Sequence, residues 1–268
     1  MRTTIATSKR VVIKVGTSSL MYANGKINLR TIERLVRVIA DLSNQGREVV
    51  LVSSGAIGVG IHKLQLDEAP IEMAGKQAVA AVGQSELMHI YSKLFGEYGH
   101  VVGQVLLTRD VIDFPDSRKN VTNTFAKMLE HHIIPIVNEN DTVSVNEIEH
   151  VTRFGDNDQL SAIVSEIIEA DLLIILSDID GLYDSDPHKN KAAKLIAEVQ
   201  AITPAIEKLA GGEGSRFGTG GMVTKIEAAQ RVLHNKSKMV ITNGADPYII
   251  HAILAGKQIG TLFSLEEK

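Results

Sequence analysis

Six short runs of β-branched and other apolar residues, separated by segments with helical spacing, constrain most strongly how this chain can fold. The runs are RVVIKV (10–15), EVVLVS (48–53), VVGQVLL (101–107), IIPIVN (133–138), DLLIILS (171–177) and KMVITN (238–243). Nearly continuous apolar runs of this length are typical of strands buried on both faces, with helices as the crossover connections. The pattern predicts an α/β fold, namely a three-layer αβα sandwich with a mostly parallel central sheet.

The segment between the first two strands shows the helical spacing clearly. Its apolar residues recur at intervals of three and four, at Leu29, Ile32, Leu35, Val36, Ile39 and Leu42. Asn28 can cap the start of this helix, and Gly46 can end it. A second long helix, rich in Ala and Gly, is expected over residues 70–95. Because no repeat or low-complexity linker interrupts the 268 residues, we expect one domain, with any subdivision near residue 170.

Charge and cysteine content exclude several classes of function. The 28 Lys and Arg residues against 32 Asp and Glu give a net charge of −4, which argues against a surface built to bind nucleic acid. The absence of cysteine excludes disulfides and thiolate metal sites and favours a reducing compartment. The N-terminus lacks the apolar core of a signal peptide, and no apolar run reaches the ~18 residues of a membrane span. We therefore expect a cytoplasmic protein that binds neither nucleic acid nor a membrane.

Small and polar residues follow the predicted strands. The segments KVGTSSL, SSGAIGVG, NENDT and SDIDGLYDSDP come at strand ends, where ligands bind in open parallel sheets. A later segment, GEGSRFGTGGMVTKIEAAQ, places a glycine-rich loop ahead of a predicted helix that contains Lys225. Backbone amides in such loops can hold phosphate oxygens, and Lys14 and Lys225 could converge on one phosphoryl group. Neither the Walker pattern GxxxxGK[ST] nor the dinucleotide pattern GxGxxG is present.

Each of these features also has a purely structural interpretation. Lys14 could be an edge-strand lysine that prevents aggregation, and Lys225 could be a solvated helix residue. In the stretch VTRFGDNDQLSAIVSE, an Asp or Asn side chain can simply cap the helix that follows. One cap would satisfy that need, however, whereas Asp156, Asn157 and Asp158 are three consecutive polar residues. Their occurrence beside a second acidic loop indicates a site for cations and polar ligands.

Eight segments, taken in order, resemble the amino acid kinase family, and within it the branch that phosphorylates glutamate. They are VVIKVGTSSL, VVLVSSGAIGVG, AVGQSELM, GQVLLTRD, IIPIVNENDTV, FGDNDQLSA, LLIILSDIDGLYDSDP and GTGGMVTKIEAA. The resemblance covers nearly the whole chain. Many members carry an additional C-terminal PUA module, and because this sequence ends at GTLFSLEEK we expect the kinase domain alone.

This resemblance implies an enzyme that uses ATP to phosphorylate the side-chain carboxylate of L-glutamate, giving L-glutamyl 5-phosphate, the first step of proline biosynthesis. A carboxylate with a pKa near ~4.3 is already ionised at neutral pH, so in-line transfer to it requires no general base. The resemblance further implies Mg²⁺ bound mainly through the nucleotide phosphates, with no metal ligand assigned among the side chains. It also implies feedback inhibition by L-proline and a homodimer or homotetramer.

The family's functional positions carry over to this sequence residue by residue. The catalytic residues are Lys14, Lys225 and Asp158, the last orienting the two lysines. The ATP-binding residues are Lys14, Gly16, Ser177, Asp178, Thr219, Gly220, Gly221, Met222, Val223, Thr224 and Lys225. The substrate-binding residues are Ser54, Gly55, Asp141 and Asn157. In this assignment Asp141 pairs with the substrate ammonium, while Ser54 and Asn157 donate to its carboxylate oxygens.

The same assignment expects substrate binding in residues 1–170 and nucleotide binding in residues 171–268. Two alternatives remain open. A related kinase acting on N-acetylglutamate would share the fold and both lysines, although Asp141 argues against it because an acetylated nitrogen carries no charge. A non-catalytic nucleotide or amino-acid sensor would have no need to retain Lys14, Asp158 and Lys225 together.

Overall fold

Eight strands form one sheet in the computed structural model, which describes residues 2–143, 156–187, 189–211 and 221–265. The strands are β1 (Arg10–Val15), β2 (Glu48–Ser53), β3 (Val102–Leu107), β4 (Ile134–Glu139), β5 (Leu172–Ser177), β6 (Glu198–Val199), β7 (Lys238–Asn243) and β8 (Thr261–Phe263). Their order across the sheet is β3-β4-β2-β1-β5-β7-β8-β6, and only the β7–β8 pair is antiparallel. The predicted mostly parallel sheet and all six predicted strands are therefore confirmed, within one residue at each end.

Helices cover both faces of this sheet. They are α1 (Arg2–Ile5), α2 (Thr17–Leu20), α3 (Leu29–Asn44), α4 (Ala56–Leu64), α5 (Met73–Glu97), α6 (Asp110–Asp113), α7 (Pro115–Glu130), α8 (Asn157–Ile167), α9 (Pro204–Ala210), α10 (Met222–His234) and α11 (Ile249–Leu254). Successive β1 residues point to opposite faces. Val12 joins the core beneath α7, α8 and α10, whereas Ile13 joins the core beneath α3, α5 and α11. This arrangement is the predicted three-layer αβα sandwich.

The first long helix begins and ends as its sequence predicts. The Asn28 side chain accepts a hydrogen bond from the Thr31 amide at the start of α3. Gly46 follows the helix with φ +82°, a left-handed conformation that favours glycine. The second predicted helix, over residues 70–95, is α5. Among the described residues, no helix is both long and apolar enough to cross a membrane.

Helices α4 and α5 pack with their backbones in contact, which positions α5 beside the end of β2. A Cβ built on Gly83 would lie 1.7 Å from the Ala56 carbonyl oxygen, and one on Gly60 would lie 2.1 Å from the Val79 carbonyl oxygen. No side chain fits at either position. The two glycines therefore set the distance between these helices.

The carboxyl ends of four neighbouring strands meet at one edge of the sheet. Strands β4, β2, β1 and β5 are consecutive neighbours and run parallel. Each is followed by one of the polar segments singled out from the sequence. The topology therefore brings residues from distant parts of the chain to the same edge.

Candidate active site

Two buried lysines contact one buried aspartate at this edge of the sheet. Lys14 lies near the end of β1, Asp158 is the second residue of α8, and Lys225 is in the first turn of α10. Lys14 Nζ lies 2.6 Å from Asp158 Oδ1, and Lys225 Nζ lies 3.0 Å from Asp158 Oδ2. The Lys14 contact is an ion pair without good hydrogen-bond alignment, whereas Lys225 donates a hydrogen bond. Because each carboxylate oxygen contacts one ammonium group, the two cations are held side by side.

The electrostatics of this cluster keep Asp158 ionised. Burial would raise the pKa of Asp158, which is fully buried, but the charges of Lys14 and Lys225 outweigh burial and hold that pKa below its ordinary value. Both lysines are 5% exposed. Two buried ammonium groups held side by side on one carboxylate are suited to bind a further anion.

Asp156 lies beside the cluster and behaves in the opposite way. Burial and the neighbouring Asp158 charge raise the pKa of Asp156, and Lys14 and Lys225 only partly offset that rise. Its Oδ1 accepts a hydrogen bond from the Asp158 amide, so Asp156 caps α8. The capping interpretation is therefore correct for Asp156, and Asn157 and Asp158 have other contacts.

Thr224 links the start of α10 to both aspartates. Its Oγ1 lies 2.8 Å from the Gly221 carbonyl oxygen, 3.1 Å from Asp158 Oδ2 and 3.2 Å from Asp156 Oδ2. A hydroxyl carries one proton, so it donates to one of these acceptors at a time.

The other predicted nucleotide residues around the start of α10 differ in their surroundings. Gly221 is the N-cap residue of α10, Met222 packs partly against the core, and Val223 is 43% exposed. The predicted nucleotide residues Thr219 and Gly220 lie outside the described residues.

Three other predicted nucleotide residues follow β1 and β5, which are neighbours in the sheet. A Cβ built on Gly16 would lie 3.8 Å from Lys14 Nζ and 3.8 Å from the Leu176 carbonyl oxygen. Gly16 is therefore close to both the lysine cluster and the end of β5. Ser177, the last residue of β5, donates from Oγ to Asp178 Oδ1 at 3.1 Å. The structure thus brings Gly16, Ser177 and Asp178 to the edge that holds the cluster.

The predicted substrate residues lie on the β2 and β4 side of the cluster. Asn157 Nδ2 donates to Ser54 Oγ at 2.8 Å, so residues 103 positions apart in sequence are in contact. Gly55, the N-cap residue of α4, has φ +95°, a backbone conformation that favours glycine. Asp141 is in the turn that follows β4 and is partly buried.

Two buried residues in this region were missed by the sequence interpretation. Asn138, at the end of β4, accepts a hydrogen bond from Asn157 Nδ2 at 3.1 Å and donates to Gln84 Oε1 at 2.9 Å. The signals were present, because Asn138 lies in NENDT and Gln84 lies in AVGQSELM. Neither was singled out because a single buried amide has no recognisable spacing, and only the fold shows that the two are in contact.

A model of the amino acid kinase family matches residues 9–243 of this chain. The chain is 63% identical over 268 residues to glutamate 5-kinase of Listeria monocytogenes, covering 100% of this chain and 97% of that relative. It is 59% identical over 263 residues to glutamate 5-kinase of Enterococcus faecalis, covering 98% of this chain and 97% of that protein.

Solved structures share the fold at low sequence identity. Carbamate kinase from Giardia lamblia bound to AMP-PNP matches with a TM-score of 0.67 at 17% identity, covering 97% of this chain and 100% of that one. Isopentenyl phosphate kinase of T. acidophilum matches with a TM-score of 0.64 at 17% identity, covering 95% of this chain and 99% of that one. Since the family model spans most of the chain and the named relatives are similar over its full length, this protein belongs to the amino acid kinase family.

Proposed function

We propose that this chain uses ATP to phosphorylate the side-chain carboxylate of L-glutamate, giving L-glutamyl 5-phosphate. The observation that carries the chemistry is the pair of buried ammonium groups on Asp158, because a migrating phosphoryl group needs fixed positive charge around its peripheral oxygens. The choice of glutamate rests on relatives named glutamate 5-kinase at 63% and 59% identity. In those relatives' reaction the acceptor is a carboxylate, which is already ionised.

The two lysines act together in this mechanism. Lys14 Nζ and Lys225 Nζ, held side by side by Asp158, neutralise the charge of the phosphoryl group as it moves in line from ATP to the carboxylate. No residue needs to remove a proton from the acceptor, since its ordinary pKa of about 4.3 leaves it ionised at neutral pH. Catalysis then depends on alignment and charge, which suits a site with buried lysines.

Mg²⁺ is proposed as a cofactor carried by the nucleotide phosphates. Within the described parts of the chain, no group of three or more His, Cys, Asp and Glu side chains is arranged to hold a metal ion. Mg²⁺ commonly binds through substrate phosphates and one or two carboxylates, so the donors present fit that mode. When bound, Mg²⁺ would neutralise part of the phosphate charge. Asp178, which directly follows β5, is the carboxylate that we would place near the nucleotide phosphates.

The residue roles divide between two halves of the sheet edge. We assign the amino-acid substrate to residues 1–170, through Ser54, Gly55, Asp141 and Asn157. The nucleotide is assigned to residues 171–268 together with Lys14 and Gly16. The contact between Asn157 and Ser54 and the closeness of Gly16 to Leu176, near the end of β5, support this division.

Three further properties are proposed from the sequence and the resemblance. They are a place at the first step of proline biosynthesis with feedback inhibition by L-proline, assembly into a homodimer or homotetramer, and a cytoplasmic location. Proline shares the α-amino and α-carboxylate groups of glutamate, so it could use the same contacts. Initial rates with added proline and light scattering of the purified chain would test the first two properties.

A hydroxamate assay tests the proposed reaction directly, because hydroxylamine traps acyl phosphates. The chain would be incubated with ATP and Mg²⁺ and with L-glutamate, N-acetylglutamate or L-aspartate in parallel. We expect product with L-glutamate and none with Lys225→Ala as the matched control. Product with N-acetylglutamate instead would identify the related kinase, and no turnover of any of the three would support the non-catalytic sensor.

A further inference from the structure

We propose that Gln84, on α5, is a positioning residue that acts through Asn138 to hold Asn157 in the orientation that presents an acceptor oxygen to the amino-acid substrate. This inference deepens the proposed function and rests on it. Gln84, Asn138, Asn157 and Ser54 form a continuous set of hydrogen bonds, which we call the amide network. Gln84 is 8% exposed and Asn138 is 3% exposed, so the hydrogen bond between them is shielded from water.

The direction of the hydrogen bonds is fixed by a backbone group. The Glu139 amide lies 2.9 Å from one side-chain atom of Asn138, and a backbone N–H can only donate. That Asn138 atom must therefore be the oxygen Oδ1. The nitrogen Nδ2 then points to Gln84 Oε1 at 2.9 Å and donates one of its two protons to it. Gln84 thus holds the Asn138 amide in the orientation that the backbone selects.

The same reasoning fixes Asn157. The Asn157 atom that lies 3.1 Å from Asn138 Oδ1 must be a donor, so it is Nδ2. Its second proton goes to Ser54 Oγ at 2.8 Å. Both protons of Asn157 Nδ2 are therefore donated to protein atoms. Among the described residues no hydrogen bond occupies Asn157 Oδ1.

The amide network consequently gives the two substrate residues opposite polarities. Asn157 presents an acceptor, Oδ1, whereas Ser54, which already accepts from Asn157, can donate its hydroxyl proton. An ammonium group matches the acceptor and a carboxylate oxygen matches the donor. We therefore assign the substrate ammonium to Asn157 Oδ1, together with Asp141, and a substrate carboxylate oxygen to Ser54. The sequence-based expectation that Asn157 donates to a carboxylate is at odds with these hydrogen bonds.

The position of Gln84 is set by its neighbour. A Cβ on Gly83 would lie 1.7 Å from the Ala56 carbonyl oxygen, so α5 contacts the first turn of α4 directly. Ser54 and Gly55 immediately precede α4. Because the helix that carries Gln84 packs on the helix that follows Ser54, the two ends of the amide network are held at a fixed separation.

Steady-state kinetics of three variants of the full chain test this proposal. Gln84→Met keeps the length of the side chain and removes the acceptor, and Gln84→Glu keeps an acceptor oxygen in either protonation state. Leu87→Met, on the next turn of α5, controls for altered packing. We expect Gln84→Met to raise KM for glutamate about five- to tenfold, the loss of one buried hydrogen bond, with kcat and KM for ATP within about twofold. Gln84→Glu should recover most of the loss, and Leu87→Met should match the unmodified chain.

The polarity assignment has its own readout, the inhibition constant of glutarate, which has both carboxylates of glutamate but no ammonium group. Gln84→Met should leave glutarate inhibition unchanged while KM for glutamate rises. Equal weakening of both ligands, or equal losses in Gln84→Met and Gln84→Glu, would overturn the proposal. If Gln84→Met melts too early to assay, Gln84→Leu replaces it. An unmodified chain without glutamate kinase activity would refute the function, whereas an active one unaffected by Gln84→Met would refute the role of Gln84 alone.

Discussion

Replacing Asp158 by Asn tests whether one carboxylate holds both lysines. The change preserves the shape of the side chain and removes the charge that lies 2.6 Å from Lys14 Nζ and 3.0 Å from Lys225 Nζ. Removing one partner of a buried ion pair costs about 3–5 kcal/mol, because it leaves a buried charge without compensation. For a chain of this size each kcal/mol lowers Tm by roughly 2–4 °C, so we expect a fall of roughly 6–20 °C. Both lysines remain but lose the carboxylate that holds them in place, which should also lower kcat by about 10²–10³-fold.

Asp156→Asn is the matched control, the same chemical change two positions earlier. Burial and the Asp158 charge raise the pKa of Asp156, so its ionised form is disfavoured in the folded state. We therefore expect this variant to melt at a higher temperature than the unmodified chain at neutral pH, while Asn keeps the acceptor oxygen that caps α8. The two substitutions should shift Tm in opposite directions.

The pH dependence of these shifts follows from the two pKa directions. The pKa of Asp158 is depressed on folding, so its stabilisation is present above the ordinary Asp value of about 3.9 and is lost as pH falls through the lower folded value. The pKa of Asp156 is raised, so the gain from Asp156→Asn is present above that raised pKa and disappears as pH falls towards about 3.9. Thermal melts of the unmodified chain and of both variants from pH 3 to pH 8, monitored by circular dichroism, measure these two pH dependences. Shifts of equal sign and size at pH 7 would refute this account of the cluster.

Three further predictions concern single positions. Lys225→Ala should lower kcat by about 10²–10³-fold or more while the chain stays folded. The hydroxamate assay measures the activity and circular dichroism measures the folding. A variant that retains most of its turnover would remove Lys225 from the mechanism. Asp141→Asn should raise KM for glutamate far more than KM for ATP, and equal effects would contradict its substrate role. Gly83→Ala should destabilise the protein by about 1–3 kcal/mol, because its Cβ would lie 1.7 Å from the Ala56 carbonyl oxygen. Gly96→Ala, on the same helix with nothing within 4 Å of its Cβ, should instead stabilise it by up to about 1 kcal/mol in the same thermal melt.

Much of the fold was predictable from local patterns, and the two short strands show where those patterns end. The long runs that became β1, β2 and β7 have their predicted bounds, since buried parallel strands require continuous apolar residues. Strands β6 and β8 have two and three residues, too few to show a period. In the antiparallel β7–β8 pair, Phe263 lies opposite Met239. No local sequence pattern indicates this pairing, because the two residues are far apart in the chain.

The sequence by itself determined the class of the fold, the residue types at the strand ends and the membership of the kinase family, because each depends on short local patterns. Only the tertiary structure decided that Lys14 and Lys225, 211 residues apart, contact the same carboxylate of Asp158. It also decided which atom Asn157 presents, since that depends on Asn138 and Gln84. Charge pairing and hydrogen-bond direction are properties of atoms in contact, and contacts between distant residues exist only once the chain has folded.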